Sequence, residues 1–438
     1  MSGIAEVLLN LGFTVTGSDR QSSSITSRLQ KLGALIHEGH KGEYVEGADV
    51  VVISSAVKMD NVEVKAALSS RIPVIQRAEM LGELMRMKEG IAVAGTHGKT
   101  TTTSMIGLVL QEGGYDPTLI VGGRVRSLRT NARLGEGDYL VAEADEFDRS
   151  FLRLTPTIAV ITNIETDHLD CYKNLEEIKS AFITFANKVP FYGTVILCLD
   201  EISLQEIVPR LERRIIAYGM NPHAEVRGSE PLYYESHSEF TAVWKDKTLG
   251  RIKIQLPGIH NVKNSLAALA VGLELEIPFD KIKKSLEGFT GVHRRFEIKA
   301  DVRGILIVDD YAHHPTEIKA SLKGAREGWN RRIIAVFQPH LYSRTRDFYE
   351  DFGRSFFDAD VLIVTDIYPA REEPIPGVTG ELVVNAARSF GHRQVIYLPN
   401  KEEVADYLFK IVRKGDMVIT MGAGDIWKAG EALIKKLQ

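Results

Sequence analysis

The chain has 438 residues, of which 44% are hydrophobic and 26% are charged, and 54 Lys and Arg stand against 58 Asp and Glu. These values are typical of a soluble globular protein of two or three domains, and they argue against a broad basic surface for nucleic acid. Its two cysteines, Cys171 and Cys198, give no disulfide framework and no metal-ligand spacing. No stretch approaches the roughly 20 apolar residues of a membrane span. We therefore expect a cytoplasmic protein without membrane insertion or a nucleic-acid partner.

A first α/β unit is predicted over residues 1–88. Apolar residues at helical spacing predict a helix from Ile4 to Leu11, and strands are predicted at residues 13–19, 49–55 and 73–75. A dinucleotide-type fold would place one more strand and a glycine loop before that first helix, and the sequence lacks both.

The most informative stretch is a predicted strand, tight loop and helix over residues 90–112. Such a loop turns backbone N–H groups and a helix N-terminus toward one point, which favours a phosphate. The phosphate-binding residues predicted here are Gly95, Thr96, His97, Gly98, Lys99, Thr100 and Thr101. Lys99 is expected over the outer phosphates and the Thr100 hydroxyl on a magnesium ion. A glycine turn that merely caps a helix is the alternative, but it does not explain the Gly-Lys-Thr order.

Acidic residues follow two further predicted strands, residues 139–142 and 157–162. The first strand leads into residues 143–146 and the second into residues 163–170. Magnesium prefers hard oxygen ligands beside terminal phosphates, so these acids are candidate metal ligands. Solvated loop acids are the alternative interpretation.

Two asparagines, Asn261 and Asn264, come just before a helix predicted from Ser265 to Leu275. Amides at that position could hydrogen-bond an adenine edge. Asn at a helix start is more often a cap, so both interpretations stay open here.

A third unit is predicted over residues 292–438 as a doubly wound sheet. Its strands are expected at residues 304–308, 331–337, 361–364 and 417–421, and each is followed by a polar cluster. The clusters therefore share one edge of the sheet. His313 and His314 beside Asp310 in such a loop indicate binding or acid-base chemistry.

Six ordered segments, residues 95–100, 143–146, 162–170, 260–264, 309–317 and 338–345, together resemble the Mur ligases. The resemblance covers almost the whole chain and implies an α/β fold of three domains. These are a UDP-sugar-binding, Rossmann-like domain that lacks its first strand and glycine loop (residues 1–88), a P-loop ATPase-type domain (89–291), and an amino-acid-binding, doubly wound Rossmann-like domain (292–438).

The pattern is most similar to family members that join L-alanine to the carboxylate of UDP-N-acetylmuramate in peptidoglycan synthesis. The resemblance implies ATP and Mg²⁺ as cofactors and an acyl-phosphate intermediate, which the amine of alanine attacks. It leaves open whether the protein is a monomer or a homodimer.

The resemblance also implies roles for individual residues. Lys99 would contact the β/γ-phosphates, and Thr100 and Glu143 would bind magnesium. His168 would serve a second metal or the acyl-phosphate site. The remaining assignments are adenine for Asn261 and Asn264, the phosphates for Arg295, and the amino-acid side for Asp310, Tyr311, His313 and Arg344. On that side a carboxylate would take the proton of the ammonium group, and an arginine would pair with the substrate carboxylate.

Three departures from the family pattern stand out. Phe147 replaces an expected serine, Leu341 replaces an expected arginine, and the glycine loop expected to meet the UDP diphosphate is absent. We therefore expect normal ATP binding but weak binding of the UDP-sugar, which an upstream strand and loop would restore.

Three alternatives remain at this point. A ligase that recycles a tripeptide is disfavoured because only eleven residues separate Glu146 from Ile158, where a longer insertion is expected. A folate polyglutamylating enzyme is disfavoured by the histidine-rich segments. A protein that binds ATP without ligating anything, because the front glycine loop is missing, belongs to a different functional class.

Overall fold

The computed structural model describes residues 1–126, 130–167, 171–370 and 372–438. The chain divides into two compact units. The first unit comprises residues 1–229, 241–252 and 263–289, and the second comprises residues 230–240, 253–262 and 290–438. The domain boundaries predicted from the sequence, at residues 88/89 and 291/292, stay predictions.

The N-terminal part of the first unit contains two small parallel sheets, β1 with β2 and β3 with β4. Its strands are β1 (Thr16–Asp19), β2 (Leu35–Glu38), β3 (Val51–Ile53) and β4 (Val74–Gln76), and its helices are α1 (Ser2–Asn10), α2 (Ser24–Lys31), α3 (Val62–Ser69) and α4 (Arg77–Arg86). The strand predicted from Phe13 begins only at Thr16. Gly12, with φ of 88°, ends the first helix, and Phe13 is exposed between the two elements.

A ten-stranded sheet follows, in the order β14-β13-β12-β11-β10-β9-β5-β8-β6-β7. Its strands are β5 (Glu89–Ala94), β6 (Thr118–Val125), β7 (Thr130–Arg133), β8 (Tyr139–Glu143), β9 (Ile158–Ile161), β10 (Thr194–Cys198), β11 (Arg214–Gly219), β12 (Val226–Tyr233), β13 (Ser238–Trp244) and β14 (Lys247–Ile254). The helices of this part are α5 (Lys99–Gly113), α6 (Leu175–Asn187), α7 (Ile202–Ile207), α8 (Ile259–Glu274) and α9 (Phe279–Glu287). β5 is fully enclosed, since β8 and β9 pair with it in parallel on either side. The carboxyl ends of these three strands therefore share one edge.

Two features of this sheet differ from the simple alternation of strands and helices expected from the sequence. β6 and β7 form an antiparallel pair at one edge, and β12 to β14 extend the other. β12 carries a period-two pattern of burial at its start, which is the pattern of a strand with one covered face.

Helix α8 begins at Ile259, not at Ser265 as predicted. Gly258, with φ of 87°, makes the turn that precedes it. Asn261 and Asn264 therefore lie within the first turns of the helix, and the interpretation of either residue as its cap is wrong.

The second unit contains a six-stranded sheet in the order β15-β16-β20-β17-β18-β19. Its strands are β15 (Glu297–Val302), β16 (Ile305–Asp310), β17 (Arg332–Phe337), β18 (Val361–Val364), β19 (Val395–Tyr397) and β20 (Asp416–Met421). Its helices are α10 (Pro315–Gly328), α11 (Tyr342–Gly353), α12 (Glu381–Ser389), α13 (Val404–Ile411) and α14 (Trp427–Leu437). All neighbouring strands are parallel except β15, which is antiparallel to β16.

Alternate residues of these strands enter two separate hydrophobic clusters. Leu306 and Val308 pack with residues of α10, α11 and α12, whereas Ile305 and Ile307 pack with residues of α13 and α14. Helices thus cover both faces of the sheet, and the predicted doubly wound architecture is confirmed. One refinement is that Asp309 and Asp310 are the last residues of β16 and do not follow it.

Among the residues that the structure describes, no helix combines the length and the apolar character that crossing a membrane requires.

Candidate active site

The loop after β5 has a backbone that only glycine accommodates at two positions. Gly95 has φ of 138° and Gly98 has φ of 81°. A Cβ added at Gly95 would lie 2.0 Å from Thr162 Oγ1, and one added at Gly98 would lie 2.7 Å from Asn264 Oδ1. Both conformation and space therefore exclude a side chain.

The segment that follows β9 holds this loop through hydrogen bonds of both its side chains and its backbone. His97 N donates to Asn163 Oδ1 over 2.8 Å, and His97 O accepts from Thr162 Oγ1 at 2.6 Å and Asn163 Nδ2 at 3.1 Å. The backbone N–H of Glu165 donates to Thr96 Oγ1 over 3.0 Å. The polar groups of Thr96 and His97 thus shape the loop itself. The start of α5 supplies N–H groups of the kind that a first helical turn leaves for a ligand.

Lys99, the first residue of α5, crosses back over the loop to a buried acid. Its Nζ donates to Gly95 O over 2.6 Å and to the two carboxylate oxygens of Glu146 over 2.7 and 3.0 Å. Burial opposes the charged form, but the neighbouring Glu146 and Asp145 carboxylates outweigh it and raise the pKa of Lys99. Lys99 is therefore charged and lies at the phosphate loop, as expected from the sequence. Its partner Glu146, 2% exposed, was a candidate metal ligand from the sequence, but its pairing with Lys99 was not predicted.

Glu143 and Thr100 supply hard oxygen atoms at the same edge of the sheet. Glu143 ends β8, in register with Val93 of β5, and Thr100 is buried in the first turn of α5. A Cβ at Gly122 of β6 would lie 2.7 Å from Glu143 Oε2, so the neighbouring strand leaves space for this carboxylate. A hydroxyl and a carboxylate fit the ligand preference of Mg²⁺. Asp145 is exposed, as the alternative of solvated loop acids expects, whereas Glu146 is buried.

Of the two asparagines on α8, Asn264 lies against the phosphate loop. Its Oδ1 accepts a hydrogen bond from Thr102 Oγ1 of α5 at 3.2 Å and lies next to the position that a Cβ of residue 98 would occupy. Asn261 Nδ2 donates to Pro257 O over 2.7 Å, within the turn that precedes the helix. A contact of either residue with adenine stays a prediction. Thr101 is buried on α5, and His168 lies outside the described residues.

In the second unit, Asp310 is a buried carboxylate that organises the chain around it. It accepts hydrogen bonds from Ala312 N at 2.8 Å, Ser321 Oγ at 2.5 Å and Phe296 N at 3.2 Å. Burial raises the pKa of Asp310 to about 6, although the Ser321 hydroxyl and the nearby Arg295 guanidinium act in the opposite direction. Asp310 therefore connects the chain at Phe296 and Ala312 to the Ser321 side chain of α10.

Arg295 and His313 both contact Glu317, in the first turn of α10. Arg295 Nη1 lies 3.2 Å from Glu317 Oε1, and His313 N donates to Glu317 Oε2 over 3.0 Å. The guanidinium also lies over the Tyr311 ring, 5.2 Å from its centroid. Burial opposes the charge of Arg295, but Glu317 and Asp310 outweigh it and raise the pKa of this guanidinium. Sequence reasoning included Glu317 in a motif without assigning it a role.

The loop after β17 lies beside the loop after β16. The rings of His313 and His340 are 5.7 Å apart, and His340 stacks on Tyr368 at 5.9 Å. Leu341, where an arginine was expected, has φ of 69°, an uncommon conformation for a residue other than glycine. Arg344, 8% exposed, follows in the first turn of α11.

Family models match the chain in three consecutive parts. They are described as "Mur ligase family, catalytic domain" at residues 1–89, "Mur ligase middle domain" at 93–272 and "Mur ligase, glutamate ligase domain" at 294–424. A protein of Geotalea daltonii named UDP-N-acetylmuramate--L-alanine ligase is 55% identical over 438 residues, which is 100% of this chain and 96% of the relative. The chain belongs to the Mur ligase family.

Two solved structures of Mur ligases have the same fold over the full chain. A UDP-N-acetylmuramate-alanine ligase of Thermotoga maritima has a TM-score of 0.82 and 28% identity, covering 100% of this chain and 96% of the other. A murein peptide ligase of Psychrobacter arcticus has a TM-score of 0.73 and 26% identity, with the same coverage. The predicted three-domain α/β fold and the predicted family are confirmed.

The close approach of Thr162 to Gly95 allows the role of this glycine in nucleotide binding to be tested. We expect Gly95→Ala to weaken ADP binding about tenfold or more, because the backbone is strained and Thr162 must move. Gly114→Ala is the matched control, since Gly114 has φ of 96° but nothing within 4 Å of its Cβ position. Isothermal titration with ADP makes the comparison. Equal affinities of the two variants for ADP would contradict this account of the loop.

Proposed function

We propose that this Mur ligase joins L-alanine to the lactyl carboxylate of UDP-N-acetylmuramate, with conversion of ATP to ADP and phosphate, in peptidoglycan precursor synthesis. The observation that carries this proposal is the 55% identity, over the whole chain, to a relative named for that reaction. The arrangement of both units is consistent with it. One presents a phosphate loop, and the other presents basic and titratable side chains at the carboxyl edge of its sheet.

A carboxylate is a poor acyl donor, so one of its oxygens has to become a leaving group. In the proposed reaction ATP phosphorylates the carboxylate, the amine of alanine attacks the acyl phosphate, and phosphate leaves. We assign the phosphates of ATP to the 95–101 loop and to Lys99, and further phosphate contacts to Arg295. Adenine is assigned to Asn261 and Asn264.

We assign Mg²⁺ to Thr100 and Glu143, and a second metal or the acyl-phosphate site to His168. A bound Mg²⁺ would neutralise phosphate charge beside the transferring group. The residues themselves orient the site: Gly122 leaves room for the Glu143 carboxylate, and the Lys99 cation faces the same strand edge.

On the amino-acid side, we assign the substrate carboxylate to Arg344 and the neighbourhood of its ammonium group to Asp310, Tyr311 and His313. A guanidinium binds a carboxylate in a fixed planar geometry, which suits orientation of a small amino acid. Because Asp310 already accepts hydrogen bonds from three protein donors, we propose that it holds this loop and does not itself take a proton.

We further propose a cytoplasmic monomer or homodimer, without a nucleic-acid or membrane partner.

One assay separates this proposal from its alternatives. The purified protein is incubated with ATP, Mg²⁺ and UDP-N-acetylmuramate, together with L-alanine, other amino acids or the tripeptide, and product masses are recorded. We expect the L-alanyl product. A tripeptide product alone would indicate a recycling ligase, and ATP binding without any product would indicate a nucleotide-binding protein.

Substitution of Lys99 tests its assignment to the phosphates of ATP. We expect Lys99→Ala to lower kcat by about 100-fold or more, as does loss of other electrostatic stabilisers of a transition state. The control is Lys284→Ala, because Lys284 is a largely exposed cation that pairs with Glu112. Lys99→Ala also leaves the Glu146 carboxylate without this cation, which lowers the unfolding temperature. Adding Glu146→Gln should restore stability but not turnover, and a single variant with nearly normal turnover would refute the assignment.

The metal assignment is tested through magnesium titrations. We expect Glu143→Gln to raise the Mg²⁺ concentration at half-maximal rate more than it raises the KM for ATP, because the amide lacks the charge that the cation prefers. The same titration with Asp145→Asn, at the exposed neighbouring acid, tests the alternative ligand. An unchanged magnesium curve for Glu143→Gln would move the proposed ligand to Asp145 or Glu146.

A further inference from the structure

Glu317 connects two functional side chains of the second unit through its two carboxylate oxygens. Oε1 lies 3.2 Å from Nη1 of Arg295, and Oε2 accepts the backbone N–H of His313 at 3.0 Å and lies 3.2 Å from His313 Nδ1. Glu317 stands in the first turn of α10, where a helix favours an acidic residue. Its side chain is mostly buried, so these contacts are shielded from solvent.

The contacts of His313 determine which ring nitrogen carries the proton. Nδ1 lies 3.0 Å from Tyr311 O and 3.2 Å from Glu317 Oε2. A carbonyl oxygen and a carboxylate oxygen can only accept, so we assign the Nδ1 position a hydrogen. In the neutral ring the lone pair then lies on Nε2, the nitrogen that can receive a proton.

We propose that Glu317 is a positioning residue for amide formation: it orients His313 so that Nε2 takes a proton from the ammonium group of the incoming amino acid. The arrangement of a carboxylate, a histidine and a substrate proton is the one that orients general bases in other enzymes. This inference rests on the proposed ligase function and adds to it the group that generates the nucleophile.

The proposed step balances in atoms and charge. The ammonium nitrogen loses one proton to His313 Nε2, and its lone pair then attacks the carbonyl carbon of the acyl phosphate. A C–N bond forms, the C–O bond to phosphate breaks, and the electron pair leaves with phosphate. The second proton of the attacking nitrogen leaves with phosphate as the tetrahedral intermediate collapses. The Glu317 carboxylate stabilises the imidazolium that the first transfer creates.

The geometry favours His313 over the buried acid nearby. Asp310 is 4% exposed and accepts hydrogen bonds from Ala312, Ser321 and Phe296. The His313 side chain is 19% exposed, and its ring borders those of Tyr311 and His340. A proton on a bound amino acid can therefore reach the histidine ring more readily than it can reach Asp310.

The test compares two nucleophiles in the complete reaction. L-Alanine arrives as an ammonium ion and needs a base, whereas hydroxylamine is mostly neutral at pH 7 and forms a hydroxamate from the same acyl phosphate. We measure kcat and KM with each nucleophile for the wild type, Glu317→Ala, Glu317→Gln and His313→Ala. The matched control is Glu327→Ala, at a more exposed acid on the same helix that pairs with Lys323.

We expect Glu317→Ala to lower kcat with L-alanine by about 10- to 100-fold, since an oriented base contributes roughly 10²- to 10⁴-fold in total. Hydroxamate formation should change much less in the same variant, and His313→Ala should show the same split. Glu317→Gln, which keeps an acceptor oxygen but lacks the charge, should show a smaller split. Glu327→Ala should match the wild type with both nucleophiles.

Two results would overturn the inference. Equal losses with L-alanine and hydroxylamine would assign Glu317 a general structural role, and a normal rate with L-alanine in Glu317→Ala would remove it from the reaction. Hydroxamate formation also shows that each variant is folded and still activates the carboxylate. A wild type that makes hydroxamate but no alanyl product would instead refute the proposed acceptor, which separates failure of the function from failure of this inference.

Discussion

The phosphate loop depends on the pairing of two buried charges, the Lys99 ammonium group and the Glu146 carboxylate. Burial disfavours either charge without a partner. Its glycines, the start of α5 and Lys99 concentrate positive potential, and the Glu146 carboxylate, 2% exposed, neutralises it through both oxygens. A loop suited to binding an anion is therefore already paired with a carboxylate from another part of the chain. Nucleotide phosphates would have to compete with Glu146 for Lys99, so this pair links loop stability to nucleotide binding.

In the second unit, buried charged side chains are likewise paired at the carboxyl edge of the sheet. Arg295 has Glu317 as its partner, and Asp310 is surrounded by N–H and hydroxyl donors at the end of a buried strand. In both units a parallel sheet collects polar groups at the carboxyl ends of its strands. Each unit then holds those groups in fixed positions through buried pairs, which reduces the reorganisation that a reaction would require.

Sequence alone was sufficient for features set by local pattern. The strand, glycine loop and helix around Lys99 follow from a β-branched run, two glycines and helical spacing, and the doubly wound third unit follows from repeated apolar strands. The sequence alone did not predict contacts between residues that are far apart in the chain. Lys99 and Glu146 are 47 residues apart, and no periodicity indicates that their side chains pair. The start of α8 was misplaced because the turn at Gly258 is set by its positive φ, not by apolar spacing.

Transfer of oxygen from the substrate to phosphate tests whether ATP activates the carboxylate as an acyl phosphate. UDP-N-acetylmuramate labelled with ¹⁸O in its lactyl carboxylate is incubated with the protein, ATP, Mg²⁺ and L-alanine, and the released phosphate is analysed by mass spectrometry. We expect one ¹⁸O atom to appear in phosphate for each amide formed. Unlabelled phosphate accompanying labelled amide product would contradict it.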